Sequence, residues 1–292
     1  MSFKFILPFL RPIEPFLLAA GIREIMDNPG LEVIANQLGK KLDEDNAVLQ
    51  VQLPTGSRLA AVIPPLVRPT LALTIQKFPS RHYAVDNLIA RGTLTQPLAE
   101  ILAEQIRGGK TLLISGGTST GKITVLQVLA NAIPEEQRIV VIEDASDLSI
   151  QKPNLLVVER QTDTSKASIC CDDLLGAALR WRPDRIVLGK VRGIEIRTLL
   201  DFLNTGHAGS LTPTIHANSA EKALPRFANL VMRIHARTTL VDAQAEIAEA
   251  VDFVVHVERQ PGRRVIRQVL ALHGYDRDSK RSLVESVFEV QP

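Results

Sequence analysis

Apolar residues in the second half of the chain fall into short continuous runs: TLLIS at 111–115, RIVVIE at 138–143, LLVVE at 155–159 and RIVLG at 185–189. Runs of this length, rich in β-branched residues and without polar alternation, predict strands buried on both faces. Stretches with helical spacing lie between or before them: LAEILAEQI at 98–106, TVLQVLANAI at 124–133 and CDDLLGAALRW at 171–181. The alternation predicts an α/β fold, a largely parallel sheet covered by helices.

The flanks carry a different pattern. VQLPTGSRLAAVI at 51–63 predicts two short strands around a Pro-Thr-Gly-Ser turn, and TLALTIQKF at 70–78 predicts another, so a smaller α+β domain precedes the α/β one. Periodicity weakens between Ser80 and Gln96, which sets the expected domains at 1–92 and 93–292. Near the C-terminus, two helical stretches lead into DFVVHVER, PGRRVIRQVLAL and SLVESVFEV, which predict successive antiparallel strands with Gln260-Pro261-Gly262 as a turn.

Composition narrows the classes. With 45% hydrophobic and 23% charged residues and a net charge of +2, the chain is an ordinary globular protein, and its 4% aromatic content offers no basic stripe with interleaved stacking platforms for nucleic acid. Direct nucleic-acid binding is not expected. The two cysteines, Cys170 and Cys171, are adjacent and make neither a relaxed disulfide framework nor a zinc site, which points to a reducing, cytoplasmic compartment. The apolar start, MSFKFILPFLRPIEPFLLAA, is interrupted by Lys4, Arg11, Glu14 and three prolines and is expected to pack rather than to span a membrane.

Candidate chemistry centres on the end of TLLIS. The strand leads directly into Gly116-Gly117-Thr118-Ser119-Thr120-Gly121-Lys122, and a helical pattern starts at once, the context in which GxxxxGK is a phosphate loop. Glycines let backbone N–H groups converge on an anion, the helix start adds its positive end, and Lys122 reaches the outer phosphates. The next residue usually offers a hydroxyl to Mg²⁺; here it is Ile123, which has none. Thr124 is turned about 100° further round the helix and is not assigned the metal. The ligand expected is ATP, with Mg²⁺ binding in question and no metal ligand assigned.

Three further motifs follow in order: IEDASDL at 142–148, RPDRIVLGKVRG at 182–193 and NTGHAGSLTPTIHANSA at 204–220. Together with the loop they resemble the TrbB-type conjugal transfer ATPases, within the larger class of type II and type IV secretion ATPases. The resemblance runs from about Leu10 to Arg264, with a region at Asn28 to Asp45 shorter than usual. It implies a RecA-like P-loop NTPase domain after a smaller α+β domain. It also implies a homo-hexamer at the cytoplasmic face of the inner membrane, in peripheral association with secretion or conjugation machinery, where ATP turnover powers pilus assembly or substrate transfer.

The resemblance also implies roles. Gly116, Gly117, Gly121 and Lys122 match the phosphate loop. Glu143 and Asp144 match an acidic box that orients metal or water, His207 and His216 match the two histidines of a box whose later member approaches the terminal phosphate, and Arg58 matches an arginine directed toward nucleotide. Four positions depart from the pattern: Ile123, Gln76 where an arginine is usual, Lys190 where the Walker B stretch has a glutamate, and Ile194 where a second glycine is usual. Near Mg²⁺, Lys190 would repel the metal, or it would pair with phosphate, or it would turn to solvent. The histidine box holds one residue more than expected, and Pro213 within it removes a backbone donor from a strand.

Two readings follow. One is an ATPase powering type IV secretion or pilus assembly, with Glu143, His216 and Arg58 completing the site and hydrolysis weakened by Ile123 and Lys190. The other is a non-hydrolysing nucleotide-binding structural subunit or decaying paralogue. Binding rests on backbone amides and Lys122, which are intact, so retained ATP binding with weak or lost turnover is the expectation.

Overall fold

The structure is a computed structural model that describes residues 24–26, 43–52, 57–68, 72–76, 83–143, 148–159, 171–189, 195–204, 209–234 and 238–290. The apolar N-terminal stretch, Cys170, Asp144, Lys190 to Ile194 and His207 therefore lie outside the described residues, and so do the expectations attached to them. The chain divides into two compact units, Met1–Arg81 and His82–Pro292.

The first unit holds a four-stranded antiparallel sheet in the order β1-β4-β3-β2, with β1 at Glu24–Met26, β2 at Val48–Gln52, β3 at Arg58–Val62 and β4 at Ala72–Gln76. Period-two alternation sends Leu59, Ala61, Leu73 and Ile75 into its core. This is the pair of strands read around Pro-Thr-Gly-Ser, together with the strand read in TLALTIQKF.

The second unit is built on an eight-stranded sheet in the order β12-β11-β10-β5-β9-β8-β6-β7. Its strands are β5 (Leu112–Gly116), β6 (Ile139–Glu143), β7 (Leu155–Glu159), β8 (Arg185–Leu188), β9 (Ser210–Ile215), β10 (Phe253–Gln260), β11 (Arg263–Asp276) and β12 (Arg281–Glu289). The six strands from β10 to β7 pair in parallel, and β11 and β12 add an antiparallel edge. Pro261 and Gly262 make the two-residue turn between β10 and β11, where Gly262 takes the positive φ of +76° that the turn requires.

Successive residues of the central strands feed two separate cores. Leu112 and Ile114, with Ile139 and Val141, join one face; Leu113, Val140 and Ile142 join the other. The first face is covered by α1 (Val85–Ala90), α2 (Gln96–Arg107) and α3 (Lys122–Ala130) through Leu88, Leu102, Ile106 and Leu126. The second is covered by α4 (Cys171–Leu179), α5 (Glu195–Asn204), α6 (Ala220–Ile234) and α7 (Leu240–Ala250) through Leu175, Leu199, Phe227 and Ile247. Burial on both faces explains why these strands read as continuous apolar runs. Local chemistry fixes the helix starts: Thr95 accepts from the Leu98 N–H at 3.4 Å ahead of α2, and Thr239 accepts from Asp242 at 3.1 Å ahead of α7.

Pro213 does not break β9. Against β5, Leu113 pairs with Thr212 and Ser115 with Ile215, so Pro213 and Thr214 together oppose Ile114 alone. The extra residue is absorbed as a bulge, the arrangement in which a sheet tolerates a proline.

Candidate functional site

Because β5, β9, β8 and β6 run parallel, their carboxyl ends lie along one edge of the sheet. That edge carries Gly116 and its loop, His216 directly after β9, Gly189 directly after β8, and Glu143 at the end of β6. Open parallel sheets collect ligands at this edge.

The loop is shaped by backbone conformations that few side chains permit. Gly116 has φ +149°, Ser119 +57° and Gly121 +94°, and α3 begins at Lys122. A Cβ on Gly116 would lie 2.2 Å from the Val257 carbonyl oxygen of the neighbouring β10, so only glycine lets strand and loop approach this closely. Gly121 sits under Arg264, whose Nε donates to the Ser119 carbonyl at 3.2 Å. Thr120 Oγ1 donates to the Gly117 carbonyl at 3.0 Å. Lys122 is largely buried and its Nζ donates to the carbonyls of Gly116 and Gly117 at 3.0 and 2.5 Å, which holds the ammonium across the mouth of the loop.

These residues fit a phosphate chain: a nest of alternating backbone conformations, the start of a helix, and a buried cation over both. At the position where a hydroxyl would meet Mg²⁺, Ile123 packs against the apolar core below the loop.

Glu143 is buried, and its Oε2 accepts the Leu148 N–H at 3.1 Å. Gly189 presses on it: a Cβ there would lie 2.8 Å from Glu143 Cβ, while the Gly189 N–H donates to the Ile142 carbonyl at 2.8 Å. The acidic box and the Walker B stretch are thereby brought together, up to the position before Lys190. His216 is exposed and lines a pocket with Asn218, Lys222, Arg226 and Asn229 at the head of α6. Arg58 lies on β3 of the first unit, directly opposite Gln76 in the strand register.

Sequence reasoning missed a buried polar group beneath the loop. His256 of β10 is 4% exposed, and its Nδ1 lies 2.9 Å from Oγ of the fully buried Ser115 on β5. Burial holds its pKa below the ordinary histidine value; Glu258 and Glu221 pull it up, and the Lys122 ammonium pushes it down. The available signal was a polar residue placed inside each of two apolar strand runs.

A parallel sheet with helices on both faces, carrying a glycine loop and lysine between its central strand and the following helix, defines a RecA-like P-loop nucleotide-binding protein. The family described as Type II/IV secretion system protein matches residues 18–271, and this chain belongs to it. The conjugal transfer protein TrbB of Rhizobium radiobacter is 32% identical over 247 residues, spanning 83% of this chain and 73% of its own length. The type IV secretion system protein PtlH of Bordetella pertussis is 31% identical over 272 residues, spanning 82% of this chain and 79% of its own. Among solved structures, the VirB11 ATPase of Brucella suis in complex with sulphate aligns over 96% of this chain and 93% of its own, at 22% identity and a TM-score of 0.53. The Legionella pneumophila ATPase DotB aligns over 92% of this chain and 68% of its own, at 18% identity and a TM-score of 0.57.

Proposed function

We propose that this chain is an ATP-binding traffic ATPase of a conjugation or type IV secretion system, with ATP held at 116–124 and turnover weakened by Ile123 and Lys190. The observation that carries the reading is the phosphate loop, with Lys122 over the Gly116 and Gly117 carbonyls at the carboxyl edge of a parallel sheet. The relatives named for conjugal transfer and type IV secretion supply the system.

In this reading Gly116 to Gly121 wrap the phosphates with backbone donors and Lys122 moves from the loop carbonyls to the outer phosphates. Glu143 orients the attacking water, and His216, with the cationic pocket behind it, passes nucleotide state to α6. Mg²⁺, when bound, neutralises phosphate charge, and no protein hydroxyl at position 123 anchors it. The protein works as a homo-hexameric ring at the cytoplasmic face of the inner membrane, against the membrane-embedded machinery. Among the described residues no helix is long and apolar enough to cross a membrane.

The test restores the two changed groups. Ile123→Thr combined with Lys190→Glu raises Mg²⁺-dependent ATP turnover well above that of the unaltered chain while ATP affinity stays within about threefold. No gain from the pair removes these two residues as the cause of weak turnover. Full turnover by the unaltered chain rejects the weakening itself.

A further inference from the structure

A polar residue buried in the interior of a sheet must be hydrogen-bonded to remain there. Ser115 and His256 satisfy each other at 2.9 Å across the parallel pair β5 and β10, where they stand in register. Ser115 is the residue before Gly116, whose carbonyl accepts from Lys122, and the residue after His256 is Val257, whose carbonyl lies against Gly116. The imidazole thus grips the strand at the point where it becomes the phosphate loop.

The other flank of His256 leads away from the loop. On β11, Gln268 stands opposite His256 in register, and its side-chain amide donates to Glu221 Oε1 at 2.7 Å. Glu221 opens α6, two residues after Ser219 and five after His216. Burial alone would raise the Glu221 carboxyl, but bonds from its own N–H, Ser219 and Gln268, with His256 nearby, hold it below the ordinary carboxylate value. Two hydrogen-bonded pairs, Ser115–His256 and Gln268–Glu221, thus stand side by side in strand register between the phosphate loop and the helix that carries the His216 pocket.

We propose that His256 is a positioning residue of the nucleotide site: through Ser115 it holds the phosphate loop in register with β10, and through the Gln268–Glu221 pair beside it the loop is tied to the start of α6. This rests on the loop being an ATP site. The charged groups facing the ring are Glu258 from its own strand, Glu221 from α6 and Lys122 from α3; β5 and β11 present the neutral Ser115 and Gln268. Phosphate drawn to Lys122 offsets the cation that disfavours protonation of the ring, so ATP binding is linked to a rise in the His256 titration midpoint.

The experiment measures ATP affinity by calorimetry, at pH 8, for the full chain and for His256→Leu, Ser115→Ala, the double variant and His256→Asn. Thermal melts establish that each is folded. Asparagine places a hydrogen-bonding atom where Nδ1 stands. The expected result is an affinity about tenfold lower for each of His256→Leu and Ser115→Ala, no further loss in the double variant, and His256→Asn within about threefold of the unaltered chain. A second measurement needs no variant to bind: the His256 ring signal in NMR, assigned by its loss in His256→Asn, titrates at higher pH with ATP than without. Unchanged affinity in His256→Leu, additive losses, or a titration midpoint unmoved by ATP overturns the role of His256 while leaving the ATP site standing. Absence of Lys122-dependent ATP binding in the unaltered chain overturns both.

Discussion

Replacing Gly116 with alanine strikes the tightest point of the proposed phosphate loop, and Gly262→Ala provides its control. Both glycines have positive φ, +149° and +76°, but Gly262 has nothing within 4 Å of an added Cβ, whereas Gly116 has the Val257 carbonyl oxygen at 2.2 Å and Thr120 Oγ1 at 2.9 Å. At Gly262 the cost is the backbone strain of an L-residue alone, about 1–2 kcal/mol. At Gly116 the φ/ψ strain of about 1–3 kcal/mol adds to overpacking of about 1–3 kcal/mol, because a strand carbonyl cannot step aside as a side chain does. The combined cost of about 2–6 kcal/mol, at about 2–4 °C per kcal/mol for a unit of this size, lowers the melting midpoint by roughly 4–24 °C. The relief available to the loop is to part from β10, which displaces the Gly116 carbonyl from Lys122. ATP affinity therefore falls on the order of a hundredfold for Gly116→Ala and is unchanged for Gly262→Ala. Thermal melts and calorimetric ATP titrations read both numbers. Equal melting points and equal ATP affinities for the two variants would refute the close-approach argument.

Two further expectations concern groups that support the sheet. Arg185 is buried at the start of β8, donates to the Ile106 carbonyl at 2.9 Å and to Gln137 at 2.7 Å, and has its pKa lowered by burial against the opposing pull of Asp184. Arg185→Met removes the Arg185 donor from Gln137 Oε1 and one of the donors to the Ile106 carbonyl, which keeps the Gly109 N–H at 3.1 Å. The change costs about 1–3 kcal/mol in chemical denaturation and does not alter the ATP affinity of the folded protein; a loss below about 0.5 kcal/mol contradicts this. His256 is depressed in the folded state, above all by burial, so between its folded pKa and the ordinary value near 6.5 the unfolded chain binds more protons. Its contribution to stability is complete above about pH 6.5 and is lost as pH falls through the folded pKa, so melting midpoints drop more steeply from pH 7 to pH 5 in the unaltered chain than in His256→Asn, and equal slopes would contradict the assignment.

TLLIS, RIVVIE and RIVLG were legible because burial on both faces leaves no polar alternation; LLVVE also became a strand, but at the sheet edge, where Val157 is exposed and the expected burial on both faces does not hold. The phosphate loop was legible because its glycines answer a backbone demand that no other residue meets at +94° or +149°. Helix α1, with six residues, was not: it is too short to show a period, and Leu88 alone of its residues is buried. The bulge in β9 was half legible, since the extra residue and Pro213 were visible but register is a property of the strand pair. The buried pair of Ser115 and His256 was hidden for the same reason, 141 residues apart and joined only by strand order.

The central claim is that the loop at 116–122 binds ATP through Lys122, and it is tested most directly by equilibrium ATP titration of the full chain beside Lys122→Ala, with and without Mg²⁺. The account predicts binding by the unaltered chain that survives removal of Mg²⁺ and falls on the order of a hundredfold in Lys122→Ala, whose melting point stays close to that of the unaltered chain. Equal affinity in the two proteins, or no binding in either, would contradict it.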